Sequence, residues 1–355
     1  MKKRAALLAA GMALLMAVAA APLLFWLGKL GGGIPAKLLL LCLWLGIPGA
    51  LPLSHSLRSE RVRIALHLLA EAFLAFALYL WLSAALAWLL WLPLREGAWQ
   101  KPCACVFCGC FLLLYGGGMV NAACLRTRRH TVDVGLGQPL RVALLSDLHL
   151  GFFTTRGMLR RIVRRTEREQ PDLILIAGDF FDMDFDSLRH KAECAALLRS
   201  LRSRYGVLGC LGNHDHYLTD PRKDDFLRSA GISILADEGV SVCGATVFGR
   251  RDVRDPLRKP WSAVKPEGEA PLLVLDHNPA PYRDYDGSAD LLLCGHTHGG
   301  QTFPMDLLQK AFMRYPIYGL REQDGVRVAV TAGAGFWGAP VRFGVSNEVM
   351  LLTLK

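Results

Sequence analysis

Hydrophobic positions follow two different patterns along this chain of 355 residues. In the first third they form long, almost uncharged runs at 5–27, 34–53, 68–92 and 103–125. A helix needs roughly 20 apolar residues to cross the hydrocarbon core of a bilayer. The pattern therefore predicts a bundle of four transmembrane helices at those positions, in a membrane domain covering 1–129. The second run is the weakest, because Pro35, Pro48 and Pro52 remove backbone donors. The first run has the basic start (Lys2, Lys3, Arg4) and small residues (Ala17 to Ala21) of a cleaved secretory signal. Its apolar stretch continues without a polar break to Leu27, which favours an uncleaved anchor.

Beyond Arg129 the apolar runs become short, at 142–145, 173–177, 207–211, 272–275, 291–294, 328–331 and 349–354, with charged stretches between them. Continuous runs of that length suit strands buried on both faces. Leu159, Ile162, Val163 and Thr166 recur at helical spacing after the first strand, and 187–204 is a second amphipathic stretch. Strand–helix–strand alternation predicts an α/β layered domain over 130–355.

Charge sharpens this division. The chain is 52% hydrophobic and carries a net charge of +10, of which +7 belongs to residues 1–125 and +3 to the remainder. A basic excess placed between apolar runs reads as membrane topology, and no nucleic-acid partner is expected. Lys2, Lys3, Arg4, Arg58, Arg61, Arg63, Arg126, Arg128 and Arg129 would share one side, against Lys29, Lys37, Arg95 and Lys101 on the other. The positive-inside rule then predicts a multi-pass protein of the inner membrane with both termini and the domain over 130–355 in the cytoplasm. Cleavage of the first segment would instead put that domain outside. Glu71 inside the third run is a functional candidate by default, or simply an interfacial residue a few positions from Arg63. Cys103, Cys105, Cys108 and Cys110 lie at the start of an apolar span and read as small packing residues rather than a metal site. Cys194, Cys210, Cys243 and Cys294 read as reduced thiols.

Each short apolar run ends in polar residues of the kind that bind metals. They are Ser146-Asp147-Leu148-His149, Gly178-Asp179-Phe180-Phe181-Asp182, Gly212-Asn213-His214-Asp215, Asp276-His277-Asn278 and Gly295-His296-Thr297-His298-Gly299. Ligands of α/β sheets collect beyond the carboxyl ends of strands, so five separate runs would build one site. In extended backbone, residues i and i+2 share a face, which would let Asp147 reach an ion with His149, and His296 with His298. A set of carboxylate, imidazole and amide oxygen without thiolate suits Mn²⁺ first, with Fe or Zn²⁺ as alternatives, and not a closed structural zinc site. An isolated Asp-x-His or Gly-Asp is weak; the ordered set of five is not.

The ordered set resembles that of the calcineurin-like metallophosphoesterase superfamily, and the stretches 146–151, 295–301 and 336–343 resemble its bacterial membrane-associated branch. The resemblance covers about 137–355. It implies a four-layer α-β-β-α sandwich with two divalent metal ions. One metal would be held by Asp147, His149, Asp179 and His298, and the other by Asp179, Asn213, His277 and His296. His214 would stand beside the phosphate, oriented by Asp182. The implied reaction is hydrolysis of a phosphodiester or pyrophosphate by a hydroxide held between the metals. Two departures are visible: Asp276 stands where the branch has a small polar residue, and Gly249-Arg250-Arg251-Asp252 where it has a hydrophobic residue and an acid.

The substrate stays open between a lipid-linked or nucleotide-activated phosphate and soluble nucleotides, with a non-catalytic membrane sensor as a third reading. Six arginines within the expected helix 156–169 read as a solvated helix face or as a contact for anionic lipid. The stretches 220–228, with Phe226, and 250–270, with Trp261, are expected to be loops over the site that select substrate.

Overall fold

The computed structural model describes residues 20–29, 31, 33–42, 44, 60–92, 100–182 and 185–355. The chain divides into two compact units, 1–120 and 121–355.

In the first unit, two helices among the described residues are long and apolar enough to cross a bilayer. One is Leu68–Trp91, within the helix Glu60–Trp91; the other is Pro102–Ala123. They correspond to the third and fourth apolar runs. The four-helix expectation is therefore met for two. Most of the runs 5–27 and 34–53 lies outside the described residues, apart from the short helix Ala21–Lys29 and a helical stretch at 34–42. Lys2, Lys3, Arg4, Arg58 and Arg95 lie outside as well. The second apolar helix contains a π turn, Leu112–Gly116, just where three consecutive glycines begin. Glu71 is half-buried in the first turn of the Leu68–Trp91 span. All ten cysteines are free thiols, and none belongs to a metal-type cluster among the described residues.

The second unit is a sandwich of two six-stranded mixed sheets. Its strands are β1 Leu125–Val132, β2 Leu140–Leu145, β3 Leu173–Ala177, β4 Val207–Cys210, β5 Ser233–Ile234, β6 Glu238–Val242, β7 Ala245–Gly249, β8 Leu272–Leu275, β9 Leu291–Cys294, β10 Gly319–Gln323, β11 Val326–Val330 and β12 Asn347–Leu354. The orders are β1-β12-β2-β3-β4-β5 and β10-β11-β9-β8-β7-β6. Alternation explains why the strands read as unbroken apolar runs. In β2, Val142 and Leu144 point between the sheets, while Ala143 and Leu145 meet the helices outside. In β9, Leu291 and Leu293 point between the sheets, and Leu292 and Cys294 outward. Both faces are buried, so no polar phase remains.

The layers are unequal. Helices Arg156–Arg168, Lys191–Arg199 and Arg222–Ser229 cover the first sheet. Among the described residues, the second sheet is covered by a short helix, Trp261–Val264, the 3₁₀ turn Tyr282–Tyr285 and Tyr315. The fourth layer of the expected sandwich is thus thin.

Two features differ from the sequence reading. The unit starts at Asn121 rather than residue 130, because β1 takes in residues read as the end of a span and as a basic loop. Arg126 and Arg128 are exposed and alternate with Leu125 and Thr127, while Arg129 is exposed on the side of Thr127 and pairs with Glu169. The second concerns 220–228, which contributes to the helix Arg222–Ser229 instead of a loop.

The stretch after β7 is held by a buried ion pair. Arg250 donates to Asp237 at 2.7 Å, with side chains 2% and 4% exposed. Asp237 also accepts from the backbone of Arg251 and Lys259. Removing one partner of a buried pair leaves a desolvated charge and costs about 3–5 kcal/mol. Arg250→Met is expected to lower the unfolding free energy of this unit by about 3 kcal/mol, read from the urea midpoint of the near-UV circular dichroism of the full chain. A change below about 1 kcal/mol would mean that water reaches the pair.

Candidate metal centre

Strand direction brings the polar clusters to one edge. β2, β3, β4 and β5 run parallel, as do β7, β8, β9 and β11. The residues that follow β2, β3, β4, β8 and β9 therefore emerge at the carboxyl edges of the two sheets, and the two edges meet. The backbone N–H of His296 donates to the Asp147 carboxylate at 3.1 Å.

The convergence does not use the extended geometry expected from i, i+2 spacing. Asp147, His149, Asp179, His296 and His298 all have positive φ, between 43° and 71°. Each turns sharply as the chain leaves a strand, which points its side chain over the sheet edge. Outside glycine this left-handed region is best tolerated by Asn, Asp and His. Glycines remove the bulk that would block it. A Cβ on Gly212 would lie 2.2 Å from Asp179 Oδ1, and one on Gly295 1.8 Å from Ser146 Oγ.

The side chains form two groups that share one carboxylate. In the first, His298 Nε2 is 3.4 Å from Asp147 Oδ1, His149 Nε2 is 3.7 Å from Asp179 Oδ2, and the two imidazoles face each other at 3.2 Å. In the second, His277 Nε2 is 3.1 Å from both Asp179 Oδ2 and Asn213 Oδ1, and 3.3 Å from His296 Nδ1. Asp147, His149, Asp179, His277 and His298 are buried. All seven residues expected to bind metal are brought together. His214 caps the group: its ring stands edge-on to His149 at 4.7 Å, and its backbone N–H donates to Asp179 Oδ1 at 2.9 Å. Asp182 Oδ1 lies 3.8 Å from His214 Nδ1.

The electrostatics fit divalent cations. Burial lowers the pKa of His149 to about 3 and of His296 to about 4, and drives His298 well below the usual imidazole value. These rings are neutral and offer lone pairs. Burial opposes the charge on His277 too, but the Asp179 carboxylate outweighs it and raises that imidazole well above its ordinary value. Burial raises Asp147 to about 6. Two neutral imidazole nitrogens face each other at 3.2 Å, so at most one proton can lie between them. Carboxylate oxygens crowd the same space, a surplus of acceptors that cations satisfy. His277 is held from behind, where its Nδ1–H donates to the Ala177 carbonyl at 2.7 Å, which leaves Nε2 facing Asp179 and Asn213.

Asp215, the last residue of Gly-Asn-His-Asp, points away from the centre. It is fully buried and accepts from the backbone of Gly212 and Phe181, at 3.0 and 3.1 Å. Burial raises it to about 7. The unusual Asp276 is also structural. It is fully buried, pairs with Arg258 at 2.7 Å, and accepts from the Tyr285 hydroxyl at 2.6 Å. Arg258 therefore neutralises the extra acid beside His277.

Two expected specificity residues are core residues. Phe226 packs on Phe181 and Phe185. Trp261 is buried against Phe248 and Tyr285 and donates to Ser288 Oγ at 2.8 Å. The aromatic side chains near His214 are instead Tyr217 and Trp337, both exposed, with ring centroids 6.2 and 6.5 Å from it. Trp337 lies within the tail stretch 336–343, which was the only signal for it. Arg342, in the same stretch, is fully buried and donates to the carbonyls of His298, Ala332 and Gly335. The arginines of the helix Arg156–Arg168 do not reach this centre. Arg161, Arg164, Arg165 and Arg168 line a separate cavity of about 320 Å³ beside Ala123 and Leu125.

Comparison with known proteins agrees with the site. Residues 140–300 match the family model for calcineurin-like phosphoesterases. An uncharacterised metallophosphoesterase of Helicobacter pylori is 31% identical over 228 residues, covering 62% of this chain and 60% of that protein. A zebrafish (Danio rerio) transmembrane protein with metallophosphoesterase domain is 32% identical over 239 residues, covering 61% and 53%. The Escherichia coli phosphodiesterase YaeI is 32% identical over 179 residues, covering 46% and 62%. The chain thus spans about 60% of the length of the Helicobacter relative that it matches.

Gly212→Ala tests how the site is packed. Its Cβ would collide with Asp179 Oδ1 and push the shared carboxylate aside. Loss of such supporting geometry typically costs 10–100-fold in metal affinity. The variant is expected to bind Mn²⁺ at least roughly 10-fold more weakly by isothermal titration, with an unchanged far-UV spectrum. Native affinity would show that Asp179 is not placed by this contact.

Proposed function

We propose that this protein, whose residues 140–300 match the family model for calcineurin-like phosphoesterases, is a membrane-anchored, metal-dependent phosphohydrolase that cleaves a phosphodiester or pyrophosphate bond. One observation supports this most: Asp179 Oδ2 lies within 3.7 Å of His149 and 3.1 Å of His277, so one carboxylate serves two ligand groups. Asp147, His149, Asp179 and His298 hold one divalent cation, and Asp179, Asn213, His277 and His296 the other. Mn²⁺ suits this donor set best, with Fe or Zn²⁺ next. When bound, such a pair supplies Lewis acidity to phosphoryl oxygens and activates water at neutral pH.

The chain's own groups do the rest. Asn213 contributes a neutral oxygen, which limits the negative charge facing an anionic phosphate. His214 is partly open to solvent and carries the proton for the leaving oxygen. Asp182 orients it across 3.8 Å. A pure binding site has no use for a non-ligand histidine held over the ligand groups, which argues against a sensor.

The anchor is the apolar region up to about residue 120, read as four spans with the domain that follows in the cytoplasm. The two long apolar helices support this reading. So do the zebrafish relative named as a transmembrane protein and a bovine one with the same name. The substrate is lipid-linked: a phosphate in a headgroup, within reach of a domain tethered at the membrane surface. The basic cavity beside Ala123 suits the phosphates of surrounding membrane lipids.

Turnover of bis-p-nitrophenyl phosphate by the full chain with Mn²⁺, lost on chelation, is the expected result. His214→Ala should keep its metal and lose about 10²–10⁴-fold in turnover, the usual contribution of a general acid. Asp179→Asn should lose both metal and turnover. Undiminished turnover in either variant would remove that residue from the assigned role. A detergent-dispersed lipid pyrophosphate should be turned over faster than soluble nucleotides; the opposite order would replace the lipid-linked substrate by a nucleotide.

A further inference from the structure

The segment following the Gly295–Gly300 ligand loop forms a helix, Met305–Phe312, that is turned inside out. An ordinary surface helix packs its apolar stripe inward and shows its polar side to water. In this one Asp306 and Gln309 face the domain, each with a buried side-chain oxygen. The apolar side faces out: Phe312 is 75% exposed, Leu307 51% and Leu308 43%. Lys310, 3.8 Å from Asp306, and Arg314, two residues beyond the helix, are exposed beside that face. The inward side leaves no freedom to rotate, because a Cβ on Gly300 would lie 2.3 Å from Asp306 Cα. Its outward leucines and phenylalanine are therefore fixed in place, not a transient exposure.

The position of the helix is as informative as its face. It begins seven residues after His298, at the edge of the domain that carries the metal-type residues. The chain arriving from the second apolar helix enters at that same edge. β1 is parallel to β12, which is antiparallel to β2, so Leu125 and Asn347 sit where β2 ends. Asn121 donates to the Arg342 carbonyl and accepts from Ser346, and Ala122 accepts from Asn347. Phe343, which follows Arg342, donates its backbone N–H to the Gln301 carbonyl and packs tilted against Phe303, just before the helix. Gln301 in turn bonds both backbone groups of Trp337, itself 56% exposed.

We propose that the helix Met305–Phe312 lies in the surface of a phospholipid bilayer, with Leu307, Leu308 and Phe312 among the acyl chains, and seats the metal-bearing edge at headgroup depth. The partner is lipid and not a second protein, because the apolar face is rimmed by cations and shares its edge with the exit of an apolar helix. Amphipathic helices of this composition take up that interfacial position, and Trp337 is the residue type that lies at headgroup level. The proposal rests on the reading of Leu68–Trp91 and Pro102–Ala123 as membrane spans, and it adds that the catalytic edge itself touches lipid.

Photolabelling tests it without relying on activity. The full chain is placed in nanodiscs containing a phosphatidylcholine with a diazirine on its acyl chain, irradiated, and mapped by mass spectrometry. Adducts within 305–313 together with adducts in the two apolar helices are expected. Adducts in the apolar helices alone would overturn the proposal and leave the membrane anchor standing; adducts in none would overturn both. A kinetic arm uses Leu308→Glu with Phe312→Glu in the full chain. Turnover of soluble bis-p-nitrophenyl phosphate should stay within twofold, while turnover of a lipid pyrophosphate in vesicles falls at least tenfold. Equal turnover of the vesicle substrate by variant and native chains would overturn the proposal.

Discussion

Bringing two carboxylates and four imidazoles within about one hydrogen-bond length of each other, out of water, is the constraint that the 121–355 unit is built around. Five of these residues sit in left-handed backbone, at a cost of roughly 1–2 kcal/mol each for a side chain with a Cβ. A whole domain is stable by only about 5–15 kcal/mol, so such strain persists only where the surroundings over-determine it. They do so through a backbone lattice at the loop bases. Asp147 N–H donates to Gly178, His149 N–H to Asp179, Leu150 N–H to Phe180, and Gly335 N–H to Asp147, all between 2.8 and 3.0 Å. Buried charges are balanced in the same region by Arg258 on Asp276 and by Arg342, which burial lowers only to about 10 and which therefore stays cationic at neutral pH. Neither arginine contacts a ligand side chain. Both make it possible for the ligands to be where they are.

The legible part of this in the sequence was local. Short apolar runs marked seven of the twelve strands because both faces of those strands are buried. The polar tips marked the metal-type residues because chemistry restricts which side chains can serve. Edge strands escaped detection for the opposite reason. β1 carries Arg126, Arg128 and Arg129 on exposed positions and reads as a basic loop, while β6 is almost wholly exposed. The reason for the Asp-x-His spacing was also misread, since the backbone turns left-handed where extended geometry was expected. Long-range partners were out of reach: Arg258 meets Asp276 across 18 residues and Arg342 meets His298 across 44. Phe226 and Trp261 fell in charged stretches that resemble loops, yet each fills a gap in a core that only the folded layers create.

Topology brings the entry of the 121–355 unit close to the site. β12 lies between β1 and β2, parallel to β1 and antiparallel to β2, so strand direction reverses at that point of the first sheet. The starts of β1 and β12 therefore share an edge with the ends of β2, β3 and β4. Were β1 antiparallel to β12, residues 121–125 would enter at the far end, about six residues of strand away from the ligands. As built, Asn121 bonds the carbonyl of Arg342, whose guanidinium bonds the carbonyl of His298. Two side-chain hydrogen bonds separate the end of an apolar helix from a residue assigned to the metal.

The surroundings of His214 bear on what the site accepts. A small phosphate needs only cations, a proton donor and water, and would draw nothing from an apolar rim. Tyr217 and Trp337 nonetheless flank His214 with exposed rings. Burial of apolar surface contributes on the order of 25 cal/mol per Å², and a free phosphate has none to offer. A rim of this kind contributes binding only where the leaving group carries apolar or aromatic surface of its own, as diesters and lipid- or nucleotide-linked pyrophosphates do. Under the proposed function, the polar floor and apolar rim together suit a substrate with two unlike ends.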